Sequence, residues 1–234
     1  MEKSKEPTAL NTKTYYQQII GTLIYAAIGT RPDITFAAMR LSRFNNNPTK
    51  EDVKYAEYIL RYLKGTKQLK IKYDGSSDAR LIGYSDSDWG ENRDDRHSTS
   101  GYVFLMANSA IAWASQRQKT VALSVGEAEY MELASTGRQA AWLRSFSGEI
   151  GYPIQEPTPL CSDNQAVIFL MVNPAVERRT KHIDIRHHYI HEQYKNKVVE
   201  PFHVAGTDNP ADLFTKSLPV IKVEQNNSGS KLDY

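Results

Sequence analysis

Hydrophobic and polar positions change period near residue 69 of the 234-residue chain. Before that point the pattern is helical. Residues 15–28 are mostly apolar and stop near Gly29. Arg31-Pro32-Asp33 has the form of a helix start, with proline near the first turn, and Asn45-Asn46-Asn47-Pro48 is a break. Thr49 then caps a periodic helix that carries Val53, Ala56, Ile59, Leu60 and Leu63 on one face and closes at Gly65. Such a face must be covered, so these helices are expected to dock rather than float. From Leu69 the pattern alternates: Leu69, Ile71 and Tyr73 are separated by polar residues, Asp74-Gly75 makes a turn, and Leu81-Ile82-Gly83-Tyr84 runs back as a second strand. Residues 98–106 and 111–115 are expected strands, 125–147 a long helix, 160–163 a short strand, 164–172 and 183–194 helices, and 198–204 a strand. Asn209-Pro210 starts a last short helix. This order argues an α/β domain with a mixed sheet, over about residues 79–219.

Composition narrows the picture. Apolar residues at 40% and charged residues at 24% support a packed core. Cys161 is the single cysteine, which excludes an internal disulfide and fits a reducing compartment. The first residues lack the apolar run of a signal peptide, and the longest apolar stretch, residues 19–28, is too short to span a bilayer. A soluble intracellular protein is expected. The net charge of +2 is divided unevenly: residues 1–80 carry +6 and residues 81–234 carry −4. A basic front segment suits a polyanion such as nucleic acid. The acidic remainder suits one only if cations reverse its local sign; otherwise the charges are simply spread over solvated faces.

Candidate chemistry lies in the carboxylates. Asp86 and Asp88 end the strand in Tyr84-Ser85-Asp86-Ser87-Asp88-Trp89, and Asp163 ends the strand in Cys161-Ser162-Asp163-Asn164-Gln165. Strand carboxyl ends in open α/β sheets are where ligands bind. Carboxylates gathered there repel one another unless a cation joins them, and hard oxygen ligands select Mg²⁺ or Mn²⁺. Asp163 serves equally well as the N-cap of the helix that follows. The long helix offers Glu127, Glu129 and Glu132. Ser124 with Glu127 forms a capping box, which occupies Glu127. Glu129 lies about 200° further round and is freer to face the sheet. Glu132 is expected in solvent.

Several stretches resemble the ribonuclease H region of Ty1/copia-type retrotransposon polyproteins: the Tyr84–Trp89 segment above, Asp95-Arg96-His97-Ser98-Thr99-Ser100-Gly101-Tyr102, Leu123-Ser124-Val125-Gly126-Glu127-Ala128-Glu129-Tyr130, Asp163-Asn164-Gln165, Arg179-Thr180-Lys181-His182-Ile183-Asp184-Ile185-Arg186 and Ala211-Asp212-Leu213-Phe214-Thr215-Lys216. Gly29-Thr30-Arg31-Pro32-Asp33-Ile34 and Leu60-Arg61-Tyr62-Leu63-Lys64-Gly65-Thr66 resemble the segment that joins the reverse transcriptase to that region. The likeness runs in order over about residues 15–219.

The resemblance implies a ribonuclease H-like five-stranded mixed sheet flanked by helices, over residues 79–219. A small helical segment like a reverse-transcriptase thumb or connection precedes it over residues 1–78 and ends in a strand; a flexible tail follows over residues 220–234. It implies four acids: Asp86, with Asp88 its neighbour and runner-up, Glu129, Asp163 and Asp212. The residues alone leave Asp208 and Asp212 equal. These acids would hold two Mg²⁺ ions, with Mn²⁺ a substitute, to hydrolyse the RNA strand of an RNA–DNA hybrid. Gln165, Ser124, Arg179, Lys181 and His182 are the implied substrate contacts. Partners would be the hybrid and the polymerase part of a reverse transcriptase, with no membrane, in a cytoplasmic or nuclear retrotransposon particle. No Tyr-x-Asp-Asp tetrapeptide of a polymerase palm occurs, so the chain reads as the carboxyl-terminal part of a reverse transcriptase or a separately expressed remnant. The alternative is a catalytically inactive or domesticated scaffold that binds nucleic acid or protein. His187 and His191 have a spacing that can chelate zinc; a plain helix surface, or contact with hybrid backbone beside Arg178 and Arg186, are the other readings. Trp113 and Trp142 are expected in the core, and Cys161 as a small buried residue beneath the site.

Overall fold

A computed structural model describes residues 10–76, 79–89, 96–173, 181–217 and 232–233. The chain divides into two units, residues 1–72 with 232–234, and residues 73–231. In the first, helices α1 (Leu10–Gly29), α2 (Thr35–Ser42) and α3 (Lys50–Gly65) pack around Tyr16, Ile20, Leu23, Ala38, Ala56 and Ile59. The apolar face of α3 is therefore covered, as its period demands. Thr49 and Asp52 close a reciprocal capping box, with Thr49 N donating to Asp52 Oδ2 at 2.8 Å and Asp52 N to Thr49 Oγ1 at 3.2 Å. Pro32 opens a 3₁₀ turn, Pro32–Ile34, and the Arg31 guanidinium forks onto Asp33 at 2.7 and 2.9 Å. The short strands β1 (Lys70–Ile71) and β7 (Leu232–Asp233) pair antiparallel.

The second unit is built on β2 (Ile82–Ser87), β3 (Thr99–Met106), β4 (Ser109–Arg117), β5 (Thr158–Ser162) and β6 (Val199–His203). They form one five-stranded sheet in the order β4-β3-β2-β5-β6. β2, β3 and β4 are antiparallel neighbours, whereas β5 and β6 run parallel to β2. Alternation along β3 assigns the two faces. Tyr102, Phe104 and Met106 pack with α4 (Val125–Glu149), α5 (Gln165–Val172) and α6 (Lys181–Lys195) around Leu133, Val167, Met171 and Ile190. Val103 and Leu105 pack on the other face with Tyr84, Leu213 and Phe214. This is the mixed sheet flanked by helices that the resemblance implies.

One local expectation is corrected. Residues 69–73 and 81–84 do not form a hairpin, because both edges of β2 are already taken by β3 and β5. Lys70 and Ile71 pair instead with Asp233 and Leu232. Residues 218–231, which hold most of the expected tail, lie outside the described residues.

Candidate active site

The register of the central strands sets the site. Gly83 pairs with Leu160 and Tyr84 with Cys161 in the parallel β2–β5 ladder. Two residues further on, Asp86 and Asp163 therefore stand level, on the face away from α4. Asp163 is not the helix cap: Asn164 fills that place, its side chain accepting from the Ala166 and Val167 backbone. Asp88 is also buried, but it is used inside the sheet, where its Oδ1 accepts the Thr99 N–H at 2.6 Å. That engagement separates Asp88 from Asp86.

Asp212 arrives on the 3₁₀ turn Pro210–Phe214, seated over β3. A glycine makes the approach possible. A Cβ on Gly101, the residue paired with Asp86, would stand 2.6 Å from Phe214 Cβ and 2.8 Å from Thr215 Cγ2. Asn209 ties the turn to the sheet: its Nδ2 donates to the Ser85 carbonyl at 3.0 Å while its Oδ1 accepts from Ala211 N at 3.1 Å. The Thr215 hydroxyl donates to Asp86 Oδ2. Lys216 Nζ lies 2.6 Å from Asp212 Oδ1 and 3.1 Å from Asp86 Oδ2. Asp212 is thus buried beside Asp86, whereas Asp208 is exposed.

Glu129 comes from the first turns of α4, on the opposite face of the sheet. Ser124 caps this helix by accepting Glu127 N at 3.1 Å, and Glu127 Oε2 turns back to accept Leu123 N at 2.7 Å. Capping thus occupies Glu127 and leaves Glu129. Gln118 clamps the helix start to the sheet, its Nε2 donating to the Ala128 carbonyl at 2.8 Å and to Ser100 Oγ at 2.8 Å. Glu132, expected in solvent, is buried, with 4% of its surface exposed. It accepts a hydrogen bond from Thr136 at 3.3 Å, and burial pushes its carboxyl up to about 8. The reason is that α4 is covered both by β2 and β3 and by α6, so even a polar position falls inside.

Electrostatics link the four acids. Burial raises Asp86 above the usual carboxylate range, the Lys216 ammonium and the Thr215 hydroxyl oppose that rise, and Asp212 adds to it. Glu129 is pushed up to about 7 by burial; the Asn164 amide counters this, and the charges of Asp163 and Asp86 reinforce it. Among the described residues Glu129 Oε2 is buried without a hydrogen-bond partner. A buried anionic oxygen left unpaired is costly, and a cation would satisfy it. All four donors are hard carboxylate oxygens, the set that suits Mg²⁺ or Mn²⁺. Among the described residues no three His, Cys, Asp or Glu side chains close a metal cage by themselves; between Asp86 and Asp212 the cation in place is the Lys216 ammonium.

No family model matches the chain. It is 41% identical over 212 residues to the retrovirus-related Pol polyprotein from transposon TNT 1-94 of Nicotiana tabacum, which covers 91% of this chain and 16% of that protein. It is 37% identical over 225 residues to the retrovirus-related Pol polyprotein from transposon RE1 of Arabidopsis thaliana, covering 96% of this chain and 15% of that one. The chain belongs to the Pol polyproteins of copia-type transposons. It spans about one-sixth of the length of these curated relatives. Among solved structures it is similar to LC11-RNase H1 in complex with an RNA/DNA hybrid, at 15% identity and a TM-score of 0.44, over 58% of this chain and 94% of that one.

The remaining expected positions of this Pol segment are scattered. Ser124 and Gln165 are exposed at the starts of α4 and α5. Arg178 and Arg179 lie outside the described residues, as do the side chains of Lys181, His182, Arg186 and His187, which contribute helical backbone to α6. His191 Nδ1 lies 3.0 Å from the Met171 carbonyl, inside the helical layer. His203 Nε2 lies 3.2 Å from the Asp163 carbonyl. Cys161 is buried beneath Asp163, and burial pushes its thiol up to about 11. Trp113 packs against the core of the second face. Trp142 is not in the core: it is 57% exposed and stacks on Phe146 with ring centroids 5.5 Å apart. Gly101, Gln118, Thr215 and Lys216 are site-building residues to which the sequence pattern assigns no role; Asn209 is legible as the start of the last helix, but its bond to the Ser85 carbonyl is not. An isolated glycine inside a strand is the signal that could have found Gly101.

Proposed function

We propose that the second unit is a metal-dependent endoribonuclease that hydrolyses the RNA strand of RNA–DNA hybrids. The observation that carries this reading is the buried, unpartnered Glu129 Oε2 on a carboxyl that feels the charges of Asp163 and Asp86, in a segment of copia-type Pol ancestry. Asp86, Glu129, Asp163 and Asp212 would hold two Mg²⁺ ions, or Mn²⁺ in their place. When bound, such ions supply an activated water and stabilise the charge that develops on the leaving oxygen. The chain supplies the positioning. Thr215 fixes the rotamer of Asp86, Asn209 and Gly101 seat the turn that bears Asp212, and Ser124, Glu127 and Gln118 fix the helix start that presents Glu129. Gln165 and Ser124, exposed at their helix starts, are the groups offered to a hybrid's minor groove, where the 2′-hydroxyl distinguishes RNA. Arg179, Lys181 and His182 are proposed contacts to its backbone. The polymerase part of the same polyprotein is the proposed partner, in a cytoplasmic or nuclear transposon particle.

The test is cleavage of a hybrid labelled on its RNA strand, with Mg²⁺, Mn²⁺ or a chelator. Metal-dependent cutting is expected, with duplex DNA spared and activity lost in Asp163→Asn and in Glu129→Gln. Cutting that survives both substitutions refutes the assigned site. Intact hybrid binding with no cutting in either metal supports the scaffold reading instead.

A further inference from the structure

Lys216 stands out because one ammonium serves two buried carboxylates from distant segments. Its Nζ is 2.6 Å from Asp212 Oδ1, and 3.3 and 3.1 Å from Asp86 Oδ1 and Oδ2. The two aspartate side chains are 5% and 3% exposed, whereas that of Lys216 is 38% exposed. The carboxylates are fixed in place, Asp86 by its strand and Thr215, Asp212 by a turn pinned through Asn209. The lysine has a flexible four-carbon stem and an open side, so it is the member of the group that can leave. A divalent ion coordinated by oxygens of both aspartates would sit about 2.1 Å from each, in the volume the ammonium fills. Two cations cannot share that space.

We propose that Lys216 is a built-in counter-cation for the Asp86–Asp212 pair, which a divalent ion must displace before it can bridge the two. This rests on the reading that the four carboxylates take divalent ions. Held by the lysine, which offsets their mutual repulsion, the two buried acids stay together. Metal affinity is then the outcome of a competition, and metal loading is coupled to an outward swing of the Lys216 side chain. The lysine is a positioning residue in this scheme.

Two measurements on the full 234-residue chain test it. The first is Mn²⁺ binding, followed by the electron-spin resonance of free Mn²⁺. Lys216→Met is expected to bind Mn²⁺ about tenfold more tightly than the unaltered chain, equivalent to about 1.4 kcal/mol, while Lys216→Arg keeps the competition and stays near the unaltered value. Equal or weaker binding by a folded Lys216→Met protein overturns the proposal and leaves the metal reading intact. The second needs no variant. Acetic anhydride labelling of Lys216, read by peptide mass spectrometry, is expected to speed up severalfold when Mn²⁺ is added, with exposed Lys50 unchanged. A Lys216 rate that Mn²⁺ does not raise overturns the displacement. Absence of any Mn²⁺ binding to the unaltered chain and to Lys216→Met overturns both this proposal and the metal reading it rests on.

Discussion

Replacing Glu132 by glutamine should change how stability depends on pH, in a direction opposite to that of most carboxylates. Glu132 is buried within the sheet–α4 layer, and its carboxyl is raised from the ordinary 4.5 to about 8. The sign follows from proton counting. Between those two values the folded protein holds a proton that the unfolded chain has released, so stability falls as pH rises through the window and levels off above it. Each pH unit inside the window costs about 1.4 kcal/mol, and at pH 7 the accumulated cost is on the order of 3 kcal/mol. A glutamine side chain at this position has the same shape, keeps an oxygen that accepts from Thr136, and does not titrate. Urea unfolding at pH 5, 6, 7 and 8 should therefore show the Glu132→Gln protein gaining on the unaltered chain with each step. The gap should reach about 3 kcal/mol at pH 7. Parallel pH profiles for the two proteins would show that Glu132 does not hold its proton, and the reasoning from burial would fail.

The elements that seat Asp212 give two further predictions. Gly101→Ala places a Cβ 2.6 Å from Phe214 Cβ and 3.1 Å from the Phe214 carbonyl carbon, so the turn must lift; a loss of about 1–3 kcal/mol in urea unfolding is expected, together with weaker Mn²⁺ binding, and an unchanged Mn²⁺ affinity would contradict the seating role. Asn209→Ala removes both the bond to the Ser85 carbonyl and the cap on the turn; thermal melting should register a loss of about 1–2 kcal/mol, and no loss would show that the turn is held without it.

Local rules made much of this architecture legible. Thr49 as a cap, the break at Pro48, the β3 and β4 strands and the strand-end position of Asp86 and Asp163 all depend on neighbours within a few residues. Glu127 is legible in the same way, since a capping side chain reports its own helix end. Glu132 and Trp142 escape such rules for a shared reason. α4 is sandwiched between the sheet and α6 near Glu132, so polarity there does not mean exposure, and Trp142 lies on the outer face of the same helix while Ala140 and Leu143 beside it stay in the core, so apolarity does not mean burial. The false hairpin arises because pairing of β2 is decided by β3 and β5. What makes Asp212 rather than Asp208 the buried acid is a set of long-range contacts: Asn209 to Ser85, Phe214 over Gly101, Thr215 to Asp86. Only the spacing of Asp212 and Lys216, four residues apart, offers a local hint of their ion pair.

On the proposed reading, Glu132 and Lys216 bear on one question, how four acids would accept a polyanion. Asp86, Glu129, Asp163 and Asp212 bring four negative charges when all are ionised, and Lys216 leaves three unmatched. An ionised Glu132 would add a charge that acts on Asp86 from within the core, only partly offset by the Arg138 guanidinium. Burial keeps that proton on at neutral pH and so, on the proposed reading, leaves the negative charge to Asp86, Glu129, Asp163 and Asp212. With Lys216 swung away, two divalent cations would match those four charges; with Lys216 in place, one cation would leave a single negative charge over. Displacement of the lysine and a stoichiometry of two are therefore linked. Mn²⁺ titration should give about two sites in the unaltered chain if the labelling of Lys216 speeds up. One site, with Lys216 still protected, would mean that the ammonium is a permanent substitute for the second ion.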